Sequence, residues 1–209
     1  MLVIFKPPDM LSQKADSESW SVNEYFAQYL KFKYQKPGKV FCAATHRLDR
    51  MASGFLILAK TSKCAQRITL QINQDQLQKS YWTITRKTLS QDNITLRGHF
   101  SKRNLKAVAD AQGNEYLLHA KLLKEHNELF AYDVEIEGGK FHQIRALFAA
   151  SGSPIAGDTK YGGEPLRKDT HRIGLICHTI RFKHPTRNEI LSFELPQLFL
   201  TKCLESYFV

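Results

Sequence analysis

From Lys79 to Glu137 the chain passes through one strand-like segment after another, with no helical stretch between them. "KSYWTITRK" (Lys79 to Lys87) alternates apolar and polar side chains, the period of a half-buried strand. "ITLRGHF", "EYLLHAKLLKEH" and "LFAYDVEIE" follow as further strands, and the polar clusters "DAQGNE" and "EHNE" between them predict hairpin turns. Strands joined by short turns pair antiparallel, because a parallel pair needs a long crossover, usually a helix. This half of the chain predicts a mainly antiparallel sheet.

The flanking segments add helices without a regular strand–helix beat. "LVIFK" (Leu2 to Lys6) predicts a strand stopped by Pro7 and Pro8. Ser21 and Glu24 have the spacing of a capping box, and Val22, Tyr25, Phe26, Tyr29 and Leu30 behind them predict one apolar helical face. "FLILAK" predicts a buried strand, and Thr61 or Ser62 the cap of a helix running toward Gln76. "KFHQIRALFAASG" predicts a helix that stops at Gly152 with Pro154 behind it. "IGLICHTIRF" and "EILSFELP" predict two more strands, and Phe199 to Leu204 a short terminal helix. The expected fold class is α+β, a single catalytic domain over residues 1–209 with a mixed, mainly antiparallel central sheet flanked by helices and an active-site cleft across the sheet.

Thirty Lys and Arg against twenty Asp and Glu leave a formal charge of +10. In a chain of 209 residues that points to a polyanionic partner, nucleic acid ahead of a membrane surface. A basic surface kept for solubility is the plainer alternative. Cys42, Cys64, Cys177 and Cys203 are far apart and form no CxxC pair, which argues against a zinc ribbon and a disulfide framework and for reduced thiols. No stretch approaches the ~20 apolar residues of a membrane span, and "MLVIFKPPDM" has no leader pattern. The expectation is a cytoplasmic protein that begins inside its folded domain.

"HRLDRMASG" packs His46, Arg47, Asp49 and Arg50 against Gly54 and the apolar strand that follows. Cations beside Asp49 favour its ionised form, which would keep a carboxylate available as nucleophile or base at neutral pH. An aspartate that only pairs with loop arginines has the same local pattern, so the segment reads both ways.

Six pieces in this order, "HRLD" with "SG", "LILAK", "KSY", "GKFHQIR", "GSPIAGDTKYGG" and "HPTRNE", resemble the pseudouridine synthases of the RluA type. The resemblance runs from "FKPP" to "FELP", almost the whole chain, and an S4-type RNA-binding module is not expected before it. It implies a pseudouridine-synthase-like catalytic domain that isomerises specific uridines in ribosomal or transfer RNA to pseudouridine on a flipped-out nucleotide, with no metal and no organic cofactor. Asp49 would be the catalytic aspartate, acting either on the anomeric carbon of the sugar or as a base at its neighbour. Arg47 would occupy the space left by the extruded nucleotide or contact a phosphate. Tyr81 matches the active-site tyrosine whose ring lies against uracil, with Lys79 on the same strand face. Arg145 matches the basic residue that pairs with the catalytic aspartate. Arg50, Lys79, Lys140 and His142 are expected RNA contacts, His142 having a structural role as its alternative. In "GDTKYGG" the glycines would allow a tight bend and Asp158 could tie down backbone amides.

The chain departs from the family pattern in having Asp9 where Gly is usual, Ala52 in place of Thr, and Lys140 and Phe141 in place of Arg-Thr. The form "KFHQIRALF" leans toward the small-subunit branch of the superfamily, whereas "HRLD" and "GDTKYGG" favour the RluA branch. Two readings from other classes stand beside the enzyme: a catalytically inactive basic RNA-binding protein of the same fold, and a metal-dependent nuclease. The nuclease would need carboxylates or histidines at ligand spacing around Asp49, and the sequence offers no such companions. The expected state is a monomer that binds RNA and no membrane.

Overall fold

The computed structural model describes residues 1–14, 20–166 and 171–206. The chain divides into two compact units, Met1–Gln78 with Ile180–Phe193 and Lys79–Thr179 with Glu194–Val209.

In the first unit, β1 (Leu2–Lys6) and β2 (Ala43–Ala44) both pair antiparallel with β3 (Ser53–Ala59). The run in β3 is apolar without a break because both of its faces are covered. Leu56 and Leu58 pack with Val22 and Ala44, whereas Ile57 and Ala59 pack with Cys64, Ile68, Leu77, Ile180 and Phe182. Ile68 belongs to α2 (Ser62–Asn73), whose first turn is capped by Thr61 Oγ1 accepting from the Cys64 N–H at 3.2 Å.

Helix α1 (Val22–Lys33) starts at the expected capping box, with Glu24 Oε2 accepting from the Ser21 N–H at 3.1 Å. Its apolar face differs from the expectation. Val22 and Leu30 are buried and Phe26 partly so, but Tyr25 and Tyr29 are exposed. Val22, Phe26 and Leu30 repeat every four residues and form one stripe, and each tyrosine, one residue earlier, is turned about 100° away from it. The segment has more rings than its core side can take.

In the second unit the strand order is β4 (Gln78–Thr85), β8 (Leu129–Ile136), β7 (Asn114–His126), β5 (Asn93–Arg103) and β6 (Lys106–Ala109), with antiparallel ladders throughout this run. β9 (Leu175–Lys183), which belongs to this unit as far as Thr179, lies on the other side of β4; β10 (Ile190–Glu194), which pairs with β9, belongs to the first unit except for Glu194. Trp82, Ile84, Leu129, Ala131 and Ile176 form a core closed by Leu200 and Leu204 of α4 (Gln197–Ser206). The alternation of β4 and β8 places these side chains on one face.

"EHNE" is a hairpin as expected, with Asn127 and Glu128 both at positive φ, the requirement of a type I′ turn. "DAQGNE" is not. β5 lies between β6 and β7, so Phe100 faces Ala109 on one side and Asn114 on the other. Strand β6 was not foreseen. Its turn uses Asn104 and Leu105 at φ 46° and 57°, without the Asn-Gly pair that would mark such a turn in sequence. Helix α3 (Gln143–Ala150) begins later than "KFHQIRALF" suggests, after His142 at φ 54°.

Candidate active site

The Asp49 loop belongs to the first unit, and its support begins in β1. Strand alternation puts Leu2, Ile4 and Lys6 on one face, and the first two pack into the cluster around Leu56 and Leu58. Lys6 is therefore carried inward and is fully buried. Its ammonium donates to the carbonyls of Pro7 at 2.8 Å, Met10 at 2.9 Å and Arg50 at 3.2 Å. An ammonium has three N–H donors, and these three acceptors match them. One side chain thus joins the backbone after β1 to the residue following Asp49.

The rest of the loop is fixed in the same way. Ser12 Oγ donates to Leu48 O at 2.9 Å and accepts from Leu48 N at 3.1 Å, and both residues are buried. His46, also buried, accepts the Ile57 N–H through Nε2 at 3.3 Å. The Ala52 N–H closes a turn on Asp49 O at 3.1 Å. These anchors leave Arg47 and Arg50 exposed and Asp49 half-buried. Arg50 Nε donates to Asp9 Oδ1 at 2.7 Å. Asp9 stands at φ 59°, which explains why Gly suits this position; Asp tolerates the left-handed region better than most side chains.

Burial pushes the Lys6 ammonium down to about 8, against the opposing attraction of Asp49 and then Asp9. At neutral pH it still carries its proton. The folded chain binds this proton less tightly than the unfolded chain, whose lysine titrates near 10.5. Between about pH 8 and 10.5 the unfolded state holds more protons, so the Lys6 contribution to stability rises with pH across that window. Urea unfolding of the wild type and Lys6→Met should therefore diverge between pH 8 and 10.5 in favour of the wild type, by up to about 3 kcal/mol. A constant difference would show that Lys6 titrates at its ordinary value.

The other candidates lie in the second unit. Tyr81 is buried on β4 opposite Val134, and Lys79 is half-buried on the same strand with its ammonium beside Gly139. Arg145, in the first turn of α3, is buried and closes its guanidinium on Asp158 through Nε to Oδ2 and Nη2 to Oδ1, both at 2.7 Å. This bidentate pair sets the orientation of the guanidinium plane. The Asp158 carboxylate is thus spent on an arginine thirteen residues away, not on backbone amides. Its main chain makes the turn, with Asp158 O accepting from Tyr161 N at 3.0 Å and Gly163 N at 2.9 Å. Gly162 takes φ 86° there, and a Cβ on Gly163 would collide with Ile155 O.

Around Arg145 the rings and cations alternate. Its guanidinium lies 5.0 Å from the Tyr161 ring centroid, and Lys106 lies at the same distance from that ring. Tyr161 Oη accepts from Ala107 N at 2.7 Å and shares a 2.9 Å hydrogen bond with His142 Nδ1. His142 stacks on Phe141 at 3.9 Å, and Lys102 lies 4.8 Å from the Phe141 centroid. Lys140 donates to Glu115 O, and its N–H donates to Gln143 Oε1 at 2.8 Å. Gln143 Nε2 donates to Leu117 O at 2.7 Å and Glu137 O at 3.0 Å, fastening α3 to the end of β7 and β8.

Four supporting residues were missed from sequence: Lys6, Ser12, Asp158 as a partner of Arg145, and Gln143. Lys6 alone left a local signal, a charge on the apolar face of a strand. Among the described residues no group of three His, Cys, Asp or Glu could hold a metal ion, and no helix is long and apolar enough to cross a membrane.

A buried cation bound to the backbone of a constrained aspartate loop and an arginine–aspartate clamp beside the Tyr161 ring accompany a match of residues 1–150 to the RNA pseudouridylate synthase family. The chain belongs to that family. It is 26% identical to the dual-specificity RNA pseudouridine synthase RluA of Pasteurella multocida, over 95% of this chain and 90% of that one. It is also 26% identical to ribosomal large subunit pseudouridine synthase D of Vibrio cholerae over 94% of this chain, but spans 64% of the length of that protein. It spans 50% of the length of the Bacillus subtilis protein YlyB, to which it is 28% identical. The solved structure of human RNA pseudouridylate synthase domain containing 4 has the same fold, with a TM-score of 0.73 at 18% identity over 95% of this chain and 86% of that one. Human RNA pseudouridylate synthase domain containing 1 gives 0.70 at 21% identity over 97% and 90%. The α+β fold, mixed and mainly antiparallel, is that of the pseudouridylate synthases.

Proposed function

We propose that this chain isomerises uridine to pseudouridine in ribosomal or transfer RNA, acting as a cytoplasmic monomer. The N1–C1′ bond breaks, the uracil turns, and a C5–C1′ bond forms; N1 gains a proton and C5 loses one, so atoms and electrons balance without an oxidant, a reductant or water. Asp49 is the catalytic carboxylate, acting at C1′ or as a base at the adjoining carbon. Tyr81 supports the freed base, Arg145 is the basic residue of the site, and Arg47 fills the stack vacated by the flipped nucleotide. Arg50, Lys79, Lys140 and His142 contact RNA.

The observation that carries this reading is the family match over residues 1–150, which includes both Asp49 and Arg145. The fixed Asp49 loop supports it, because a carboxylate held in place needs less reorganisation during reaction. Mapping pseudouridines in ribosomal and transfer RNA from cells with and without the gene tests it. At least one site should lose its pseudouridine; an unchanged map would overturn the assignment.

The +10 charge also predicts binding governed by counterion release. With roughly four phosphate contacts, affinity for RNA should fall about 50-fold between 50 and 200 mM salt. Filter binding across that range checks it, and a flat response would count against a basic RNA-binding face.

A further inference from the structure

Helix α1 carries a row of rings that the core does not use. Tyr25, Tyr29 and Phe32 follow an i, i+4, i+7 spacing and share one stripe. Phe32 is 87% exposed, and Trp20, Tyr25, Tyr29, Tyr34 and Phe41 are exposed as well. Tyr25 and Tyr29 are steadied by edge-to-face packing on Phe26, at 5.3 and 5.9 Å. Lys33 donates to the Tyr29 hydroxyl at 3.0 Å. The Tyr34 ring has three ammonium groups around it, Lys60 at 5.2 Å and Lys33 and Lys36 at 5.9 Å. From Tyr25 to Leu48 the chain contains four Lys, one Arg and no acidic residue.

Exposed rings gathered on one face mark a surface that meets something. A protein-docking surface is typically depleted in lysine at its centre, whereas here lysines stand against the rings. A single-stranded nucleic acid matches both features at once, its phosphates meeting the ammonium groups and its bases the ring faces. Duplex RNA would keep its bases stacked away from the rings. Tyr25 to Phe32 spans about 10 Å along the helix, the rise of about three stacked nucleotides.

We propose that the exposed face of Tyr25, Tyr29, Phe32 and Tyr34, with Lys33, Lys36 and Lys60, is a stacking platform for a single-stranded segment of the substrate RNA. It rests on the reading of the chain as an RNA-modifying enzyme and adds a binding surface to it.

The test is fluorescence anisotropy of the full chain with a labelled twelve-nucleotide oligouridine and with an RNA duplex of equal length. The wild type should favour the single strand. Phe32→Ala with Tyr34→Ala should weaken single-strand binding by roughly tenfold or more, given what one stacked base contributes, and leave duplex binding nearly unchanged. Phe32→Ser alone, altering only the most exposed ring, should lose several-fold affinity with an unchanged melting temperature. A 4-thiouridine probe should crosslink the wild type within residues 25–34. Single-strand affinity within twofold of wild type in both variants, or crosslinks elsewhere, would overturn the platform. Unchanged RNA binding with altered sedimentation would overturn it in favour of a contact between copies of the chain. Failure of the wild type to bind any RNA would sink the enzyme reading together with the platform, whereas wild-type binding undisturbed by the variants sinks the platform alone.

Discussion

Asp49→Ala is expected to abolish pseudouridine formation, with a loss of at least about 10⁴-fold, or roughly 5 kcal/mol of transition-state stabilisation. The proposed chemistry passes through this carboxylate, and alanine can neither attack carbon nor accept a proton. The loop should keep its shape, because its anchors run through Lys6, Ser12 and His46, none of which the substitution removes. RNA affinity should also persist, since Arg47 and the lysines remain. Asp49 raises the Lys6 affinity for its proton, so the variant should titrate Lys6 still lower. Single-turnover assays, with nucleosides from digested RNA separated by chromatography, check the first effect. Nitrogen-edited NMR of the Lys6 ammonium checks the second. Wild-type turnover in the variant would remove Asp49 from the reaction.

Asp158→Ala is expected to cost about 3 kcal/mol of folding stability, because it removes the two charge-assisted hydrogen bonds that fix the buried Arg145 guanidinium. The ion pair itself need not be a large net gain, since both groups lose their hydration to form it. The separate prediction is therefore that Arg145→Met with Asp158→Leu is less destabilised than Asp158→Ala alone. Both follow from urea unfolding at pH 7. A loss below 1 kcal/mol in Asp158→Ala would show that the fork to Asp158 contributes little to stability. Activity should fall as well, because Arg145 loses the fork that sets its plane.

These two sites differ in how far they could be read from sequence. The Asp49 loop was legible as a motif, since its charges are adjacent in the chain and lead into an apolar strand. Its supports were not. The Lys6 and Ser12 bonds reach residues 44 and 36 positions away; the charge of Lys6 on an apolar strand face was a local signal, but nothing local marks its partner or Ser12. The contact of Arg145 with Asp158 was hidden for the same reason, as Asp158 lies on a different element and its surroundings read as a turn. The expected role on backbone amides passes to the Asp158 main chain, which the sequence pattern cannot separate from its side chain.

Elements with strong local codes were legible. The Ser21–Glu24 box begins α1, Thr61 caps α2, and the alternation of β4, β7 and β8 appears as strands in the structure. Strand β6 escaped because four residues are too few to display a period and its turn places Leu105 where Gly would be the signal. "DAQGNE" has turn chemistry, but composition cannot tell a hairpin from a connection that passes the end of a third strand. On α1 the apolar pattern was real, yet a row of rings and a core stripe one residue apart look alike until burial separates them. Tyr25 and Tyr29 face outward and became the basis of the RNA platform.

The proposed reaction is an isomerisation centred on Asp49. It is tested most directly by incubating unmodified ribosomal and transfer RNA with the purified full chain and with Asp49→Ala, then measuring pseudouridine by chromatography of the digested nucleosides. Pseudouridine should accumulate with the wild type and stay at background with the variant. No pseudouridine with a wild type that binds RNA, or equal amounts with both proteins, would contradict it.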